Sequence, residues 1–381
     1  MKPNIVSQVQ ERIAPVALAI ILLLLTALGT TAREVHPLLF TVEDLGTFSS
    51  STRATAINNS GQVVGTSFAP STFAHAFRYA DGVGLIDLGQ IANETITYGT
   101  GINNVGQVSG HADRSGGAGG YHAFRYTDGI GLVDLGSLPG YGFSYGGPIN
   151  ERGQVAGSAY GDVLRAFRFT DGVGMQDLGT LGRASAAYGI NNSGDVVGNS
   201  ETPTTPSNEN WNPGHAFLYT DRQGMEDLNN LIDPSLGWEL RRGNAINDRG
   251  QIVGFGEHIG IGLHAFLYSR GVVQDLGTFP GGGISYALGL NNRGDVVGAA
   301  YLDASGIGNF RAMLYTNRQG MQNLNNLIDP SLGWVLREAT AINERGQIAG
   351  WGELKGEERA FLLTPGWSSV TRVDNRQCEA D

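Results

Sequence analysis

The side chains able to do chemistry in this chain recur instead of clustering. A His or Arg opens a five-residue motif (H-A-F-R-Y and variants) at His75, His122, Arg165, His215, His264, Arg311 and Arg359. An Asp stands in D-L-G or a close variant at Asp87, Asp134, Asp177, Asp227 and Asp275, with Asn323 in a further copy and Asp44 ahead of them all. An Asn leads the motif I-N-x-x-G-Q-V-V-G at Asn58, Asn103, Asn150, Asn191, Asn247, Asn291 and Asn343. One His in each of four copies is not a ligand set, because metal donors must converge at short, fixed spacing. Equivalent residues in every copy read as scaffold, with the His or Arg bonded to the Asp of the same unit. The chain has no H-E-x-x-H or phosphate-loop motif. Loop carboxylates (Glu201, Glu209, Asp162, Glu257, Asp303, Glu353) are the residue type for acid–base chemistry on glycosidic bonds, but no spacing brings two together. The reading is a non-catalytic binding or structural scaffold without cofactor or metal. The alternative is a carboxylate-dependent hydrolase or lyase on the same frame.

The elements that must position these residues follow from the repeat. The I-N motif occurs seven times with a mean period of about 48 residues, which marks a solenoid, propeller or array. Each unit carries four short strand signals. I-N-x-x-G joins the first two, with Gly suited to positive φ and Asn able to bond the backbone two residues on. T-D-G-x-G joins the last two. The last unit stops after Leu362-Leu363 without a fourth strand, while a spare D-L-G stands at the start, at Asp44. A ring resolves both: Phe40–Leu45 supplies the outer strand of the final unit, and closure removes exposed sheet edges. The predicted fold is all-β, a seven-bladed β-propeller of four-stranded antiparallel blades closed by the N-terminal strand.

The joint occurrence of I-N-x-x-G-Q-V-V-G, H-A-F and D-L-G over residues 40–364 resembles the HAF-repeat family of exported bacterial proteins. That resemblance implies an extracellular, propeller-like repeat protein with no established activity and no catalytic residues to carry over. Members often follow the final L-L-T-P with a Pro-Glu-Pro sorting anchor. Here Leu362–Pro365 leads into a tail without that motif or an apolar span.

The expected organisation is a signal peptide at 1–32, a linker at 33–39, the propeller at 40–365 and a tail at 366–381. Lys2 and Arg12 precede an apolar run from Ala14 to Leu28, followed by small residues, which is the layout of a secretory signal. The expected location is extracellular or periplasmic, with an uncleaved N-terminal anchor helix as the alternative. A formal charge of −11 without a basic stripe argues against a nucleic-acid partner and gives no reason for attraction to anionic lipid. The single cysteine, Cys378, cannot form an internal disulfide. The partner read from these features is an extracellular protein or glycan, met by a monomer with no membrane contact after signal cleavage.

What varies between copies is the expected seat of binding. Loops between second and third strands open on the same face as the links between units. The longest is Asn199–Gly214, and the aromatic candidates on that face are Trp211, Trp238, Trp334, Tyr141 and Phe143. Residues 222–254 and 318–350 match at 25 of 33 positions, a duplicated block, so Trp238 and Trp334 also read as buried caps between blades. Trp211 is the better ligand candidate.

Overall fold

The computed structural model describes residues 39–366 apart from 70–73, 91–95, 114–119, 205–213 and 307. The N-terminal apolar run, Trp211 and Cys378 lie outside the described residues. The described chain forms seven four-stranded antiparallel sheets, each a sequential meander except the last. Blade 1 is typical, with strands Ser51–Ile57, Val63–Phe68, Ala74–Ala80 and Gly84–Asp87 running from the axis outward. Blade 7 joins Trp334–Ile342, Ile348–Leu354 and Glu357–Gly366 to the N-terminal strand Leu39–Asp44. That strand pairs antiparallel from Leu39↔Gly366 to Asp44↔Phe361, closing the ring as the sequence predicts.

Packing between blades explains the repeated letters. The aromatic of H-A-F is fully buried in six blades (Phe77, Phe124, Phe167, Phe217, Phe266, Phe361), and Met313 fills the place in blade 6. It lies over the Gly that ends Q-V-V-G. A Cβ built on Gly110 would come within 1.9 Å of the Tyr98 carbonyl and 2.6 Å of the Phe124 ring, so no other residue fits. A Ser or Thr at the start of an inner strand then ties blade to blade. Ser144, for example, accepts from the Ala123 N–H at 2.9 Å and donates to the Gly136 carbonyl at 2.5 Å.

The duplicated L-N-N-L-I-D-P-S-L-G links form short 3-10 turns at Leu228–Leu231, Pro234–Leu236, Leu324–Leu327 and Pro330–Leu332. Asp227, Asp233, Asn323 and Asp329 cap them through their side chains, and a Pro opens the second of each pair. Asn229 and Asn325 there replace the Ser/Thr tie, bonding Leu240 and Leu336 on both backbone sides.

Candidate binding site at the mouth of the central channel

The repeated Asn builds the axis. Its Oδ1 accepts the N–H four residues on in every copy, at 2.9–3.0 Å. Its Nδ2 donates to the Gln or Asp side chain four residues on, at 2.8–3.0 Å. The second Nδ2 proton goes to the carbonyl of the corresponding Asn in the next blade. These bonds run 58→103→150→191→247→291→343→58 at 2.9–3.4 Å. A second closed ring lies beside it. Each following residue (Asn59, Asn104, Glu151, Asn192, Asp248, Asn292, Glu344) accepts the backbone N–H of its counterpart in the preceding blade, at 2.8–3.2 Å. The Asn therefore spends its whole donor and acceptor inventory on scaffold.

Above that ring every inner strand carries a β-bulge three residues before the Asn, a register shift such as Ala54/Ala56 or Gly243/Ala245. A bulge re-aims a side chain. Here the bulged positions, including Thr55, Thr100, Tyr188, Asn244 and Thr340, line a central channel of about 560 Å³ bounded by all seven inner strands.

Five residues before each Asn, toward the face of the links and long loops, stand Arg53, Tyr98, Tyr145, Ala186, Arg242, Tyr286 and Glu338. Their second-strand register partners are Thr66, His111, Ser158, Asn199, Phe255, Ala299 and Trp351. Together they make two aromatic arcs. In one, Tyr98 stacks on His111 at 4.9 Å and both meet Tyr121, while His111 and Tyr121 touch Tyr145 at 5.3 and 5.6 Å. In the other, contacts run Phe255–Tyr286–Tyr301–Phe310–Trp351 at 5.1–6.4 Å. Arg53 closes this arc, 4.3 Å from the centroid of the Trp351 ring and bidentate to Glu358 at 2.8 Å. Most of these rings are only half-buried. The break falls at blade 4, where Ala186 and Asn199 hold the two positions and the longest loop begins.

Burial shifts the titrating groups in this crown. Desolvation holds His111 well below its ordinary value, at about 4, and its Nδ1 is buried without a hydrogen-bond partner. Desolvation raises the Glu338 carboxyl, against the opposing pull of the Trp351 indole N–H and the Arg53 charge. Among the described residues no three His, Cys, Asp or Glu converge as metal ligands.

Of the residues singled out in the sequence, the described ones sit around this crown and not inside it. Trp238 stacks on His258 at 4.6 Å and meets Phe266 edge-on, packed against its blade's core. Trp334 meets Phe361 edge-on in the same way. Tyr141 packs on a core cluster, and Phe143 stacks on Tyr160 at 6.2 Å. The His–Asp contacts lie on the outer strands: His75–Asp87 at 2.9 Å, His122–Asp134 at 3.0 Å, His215–Asp227 at 2.6 Å and His264–Asp275 at 3.0 Å. Arg165 approaches Asp177 at 3.9 Å. The Asp also accepts the N–H two residues on, as Asp134 does from Gly136 at 2.7 Å. The crown positions carried a sequence signal that the motif reading passed over. They are two columns, five residues before and eight after each Asn, in which aromatic and charged residues alternate with small or polar ones.

These features define the class: a closed, seven-bladed β-propeller with an aromatic crown around one mouth. No family model matches the sequence, and no curated protein sequence matches it. Among solved structures it is similar to YCF48 bound to D1 peptide, at 13% identity and a TM-score of 0.50, over 88% of this chain and 98% of that one. It is also similar to the extracellular domain of the putative one-component system BT4673 from B. thetaiotaomicron. The identity is 10% and the TM-score 0.47, over 84% of this chain and 39% of that one. For TolB from Acinetobacter baumannii the values are 12% and 0.43, over 80% of each chain. At these identities the likeness shows the fold.

Proposed function

We propose that this protein is a non-catalytic recognition scaffold of the HAF-repeat kind. It acts outside the cytoplasm as a monomer and takes a protein or glycan ligand at the crowned mouth of its channel. The observation that carries this reading is the divergence inside the duplicated block. The two copies differ at eight of 33 positions, and three of those are consecutive, Arg242/Glu338, Gly243/Ala339 and Asn244/Thr340. Those three sit on the inner strands at the mouth. Buried framework on both sides, such as Leu240/Leu336 and Ile246/Ile342, is retained. Change concentrated at one mouth of an otherwise copied scaffold is what ligand choice requires. Half-buried aromatic rings beside Arg and Glu are also typical anchor chemistry. The test is a glycan-array and cell-wall-polymer screen of the full-length protein, with a protein pull-down in parallel. Binding that survives Tyr98→Ala and Tyr301→Ala would sink the crown as the site.

The hydrolase or lyase alternative has one observation behind it. Glu338 retains its proton above the ordinary carboxyl range, beside the Arg53–Glu358 ion pair. An acid of that kind and an ionised partner are the two roles such chemistry needs. Turnover of a polysaccharide bound in the screen, abolished by Glu338→Gln, would replace the scaffold reading; unaltered polymer would retire the alternative.

A further inference from the structure

One charge in the channel has no counter-charge. Arg242 is the sole charged side chain among the described residues lining it. Its guanidinium lies 3.4 Å from the centroid of the Tyr188 ring, and its Nε is buried without a hydrogen-bond partner. Several other arginines are paired: Arg53 with Glu358, Arg78 with Asp128, Arg168 with Asp221, Arg337 with Glu353. Burial pulls Arg242 below its ordinary value, yet a guanidinium keeps its charge in proteins. An uncompensated buried charge is costly, so the site favours an anion from solution.

The geometry names the anion's shape. Stacking on Tyr188 uses the face of the guanidinium, while its N–H donors lie in the plane, at the edge. That fork matches a carboxylate bidentately. Several of the channel's other side-chain donors are already engaged. Thr55 donates to the Gly99 carbonyl at 2.8 Å, Thr100 to that of Gly146 at 2.9 Å, and Thr340 to that of Ala54 at 3.1 Å. The Asn244 amide donates to the Ala287 carbonyl at 2.7 Å. Much of the remaining wall is apolar, including Ile149, Ile190, Leu290 and Ile342. We propose that the central channel binds a monocarboxylate with an apolar body, its carboxylate held by the edge of Arg242 above Tyr188.

Arg242 also stands among the crown positions, but the channel can take an acid whether or not the aromatic arcs bind a partner. The carboxylate can belong to a free small acid or to the end of a peptide. The experiment titrates the full-length protein with benzoate and with neutral benzamide, and with Ala-Ala-Phe bearing a free or an amidated C-terminus. The expected result is saturable binding of benzoate, of the free-ended peptide, or of both. The neutral counterpart should bind at least about tenfold more weakly, as should benzoate or the free peptide to Arg242→Gln. Binding by the peptide alone assigns the source to a polypeptide end, and by benzoate alone to a small acid. Arg242→Lys keeps the charge without the fork and should also weaken binding, which carries the test if the Gln variant does not fold. Val173→Asn, in an exposed turn at the opposite end of blade 3, should leave these affinities unchanged. The proposal is overturned if neither acid binds, or if the neutral counterparts or the Arg242 variants bind equally well.

Discussion

At the scale of single residues, an Asn with all four of its hydrogen-bonding positions engaged is hard to replace. Asn150 is buried and reaches Gln154, the Asn191 carbonyl and two backbone N–H groups of its own turn. Asn150→Ala strands several of these at once. We expect a loss of about 2–4 kcal/mol in a denaturant melt, with blade 4 as affected as blade 3 in hydrogen exchange. Two crown residues give pH signatures of definite sign. His111 is held down at about 4 in the folded protein, so the unfolded chain takes the proton first as pH falls through about 6.5. Stability should fall between those values, by up to about 3 kcal/mol, and His111→Phe should flatten that limb. Glu338 runs the other way. Its folded carboxyl is raised, so the penalty appears as pH climbs above the unfolded value and is fully present above the folded one. Glu338→Gln should therefore stabilise the protein at neutral pH, and the gain should vanish below the ordinary carboxyl range.

At the scale of strands and turns, the His–Asp contact ties the third strand of a blade to the fourth. His122 meets both Asp134 oxygens at 3.0 Å, and Asp134 also holds the Gly136 N–H. In a double-mutant cycle His122→Ala and Asp134→Ala should be non-additive; additive costs would mean that the contact contributes nothing. Much of this level was legible from sequence. Positive-φ Gly in each I-N-x-x-G turn, the D-G turns and the alternation in H-A-F-R-Y all follow from local chemistry. The crown's columns stand at fixed offsets from each Asn, but its contacts were not legible, because they depend on register and on bulges. Tyr98 meets Tyr145 through His111 and Tyr121, and Arg242 reaches Tyr188 in the neighbouring blade. No spacing along one strand reveals which residues of adjacent blades will touch. Trp238 and Trp334 open inner strands and pack on their blades' cores.

At the scale of the molecule, closure was readable because the count of strands did not balance: a spare D-L-G at Asp44 and a missing one after Leu363. The structure closes the circle twice more, through Asn343 Nδ2 to the Asn58 carbonyl at 2.9 Å and Glu344 N–H to Asn59 at 3.0 Å. Arg53 and Thr52 add ties from blade 1 to Glu358 and Ala360 of blade 7. Removing Leu39–Asp44 would strip the outer strand from blade 7 and expose the edge of Glu357–Gly366. We expect self-association of the truncated protein in analytical ultracentrifugation, together with a lower melting temperature.

The crown as the recognition surface is the central claim, and a two-face comparison tests it most directly. A ligand found in the screen would be titrated against wild type and against crown variants Tyr98→Ala and Tyr301→Ala. It would also be titrated against Val83→Asn and Val173→Asn, which alter exposed turns between third and fourth strands at the opposite end of the blades. The account predicts affinity lowered at least about tenfold by the crown changes and untouched by the turn changes. Affinity lost only in the turn variants would place recognition on the other face and contradict it.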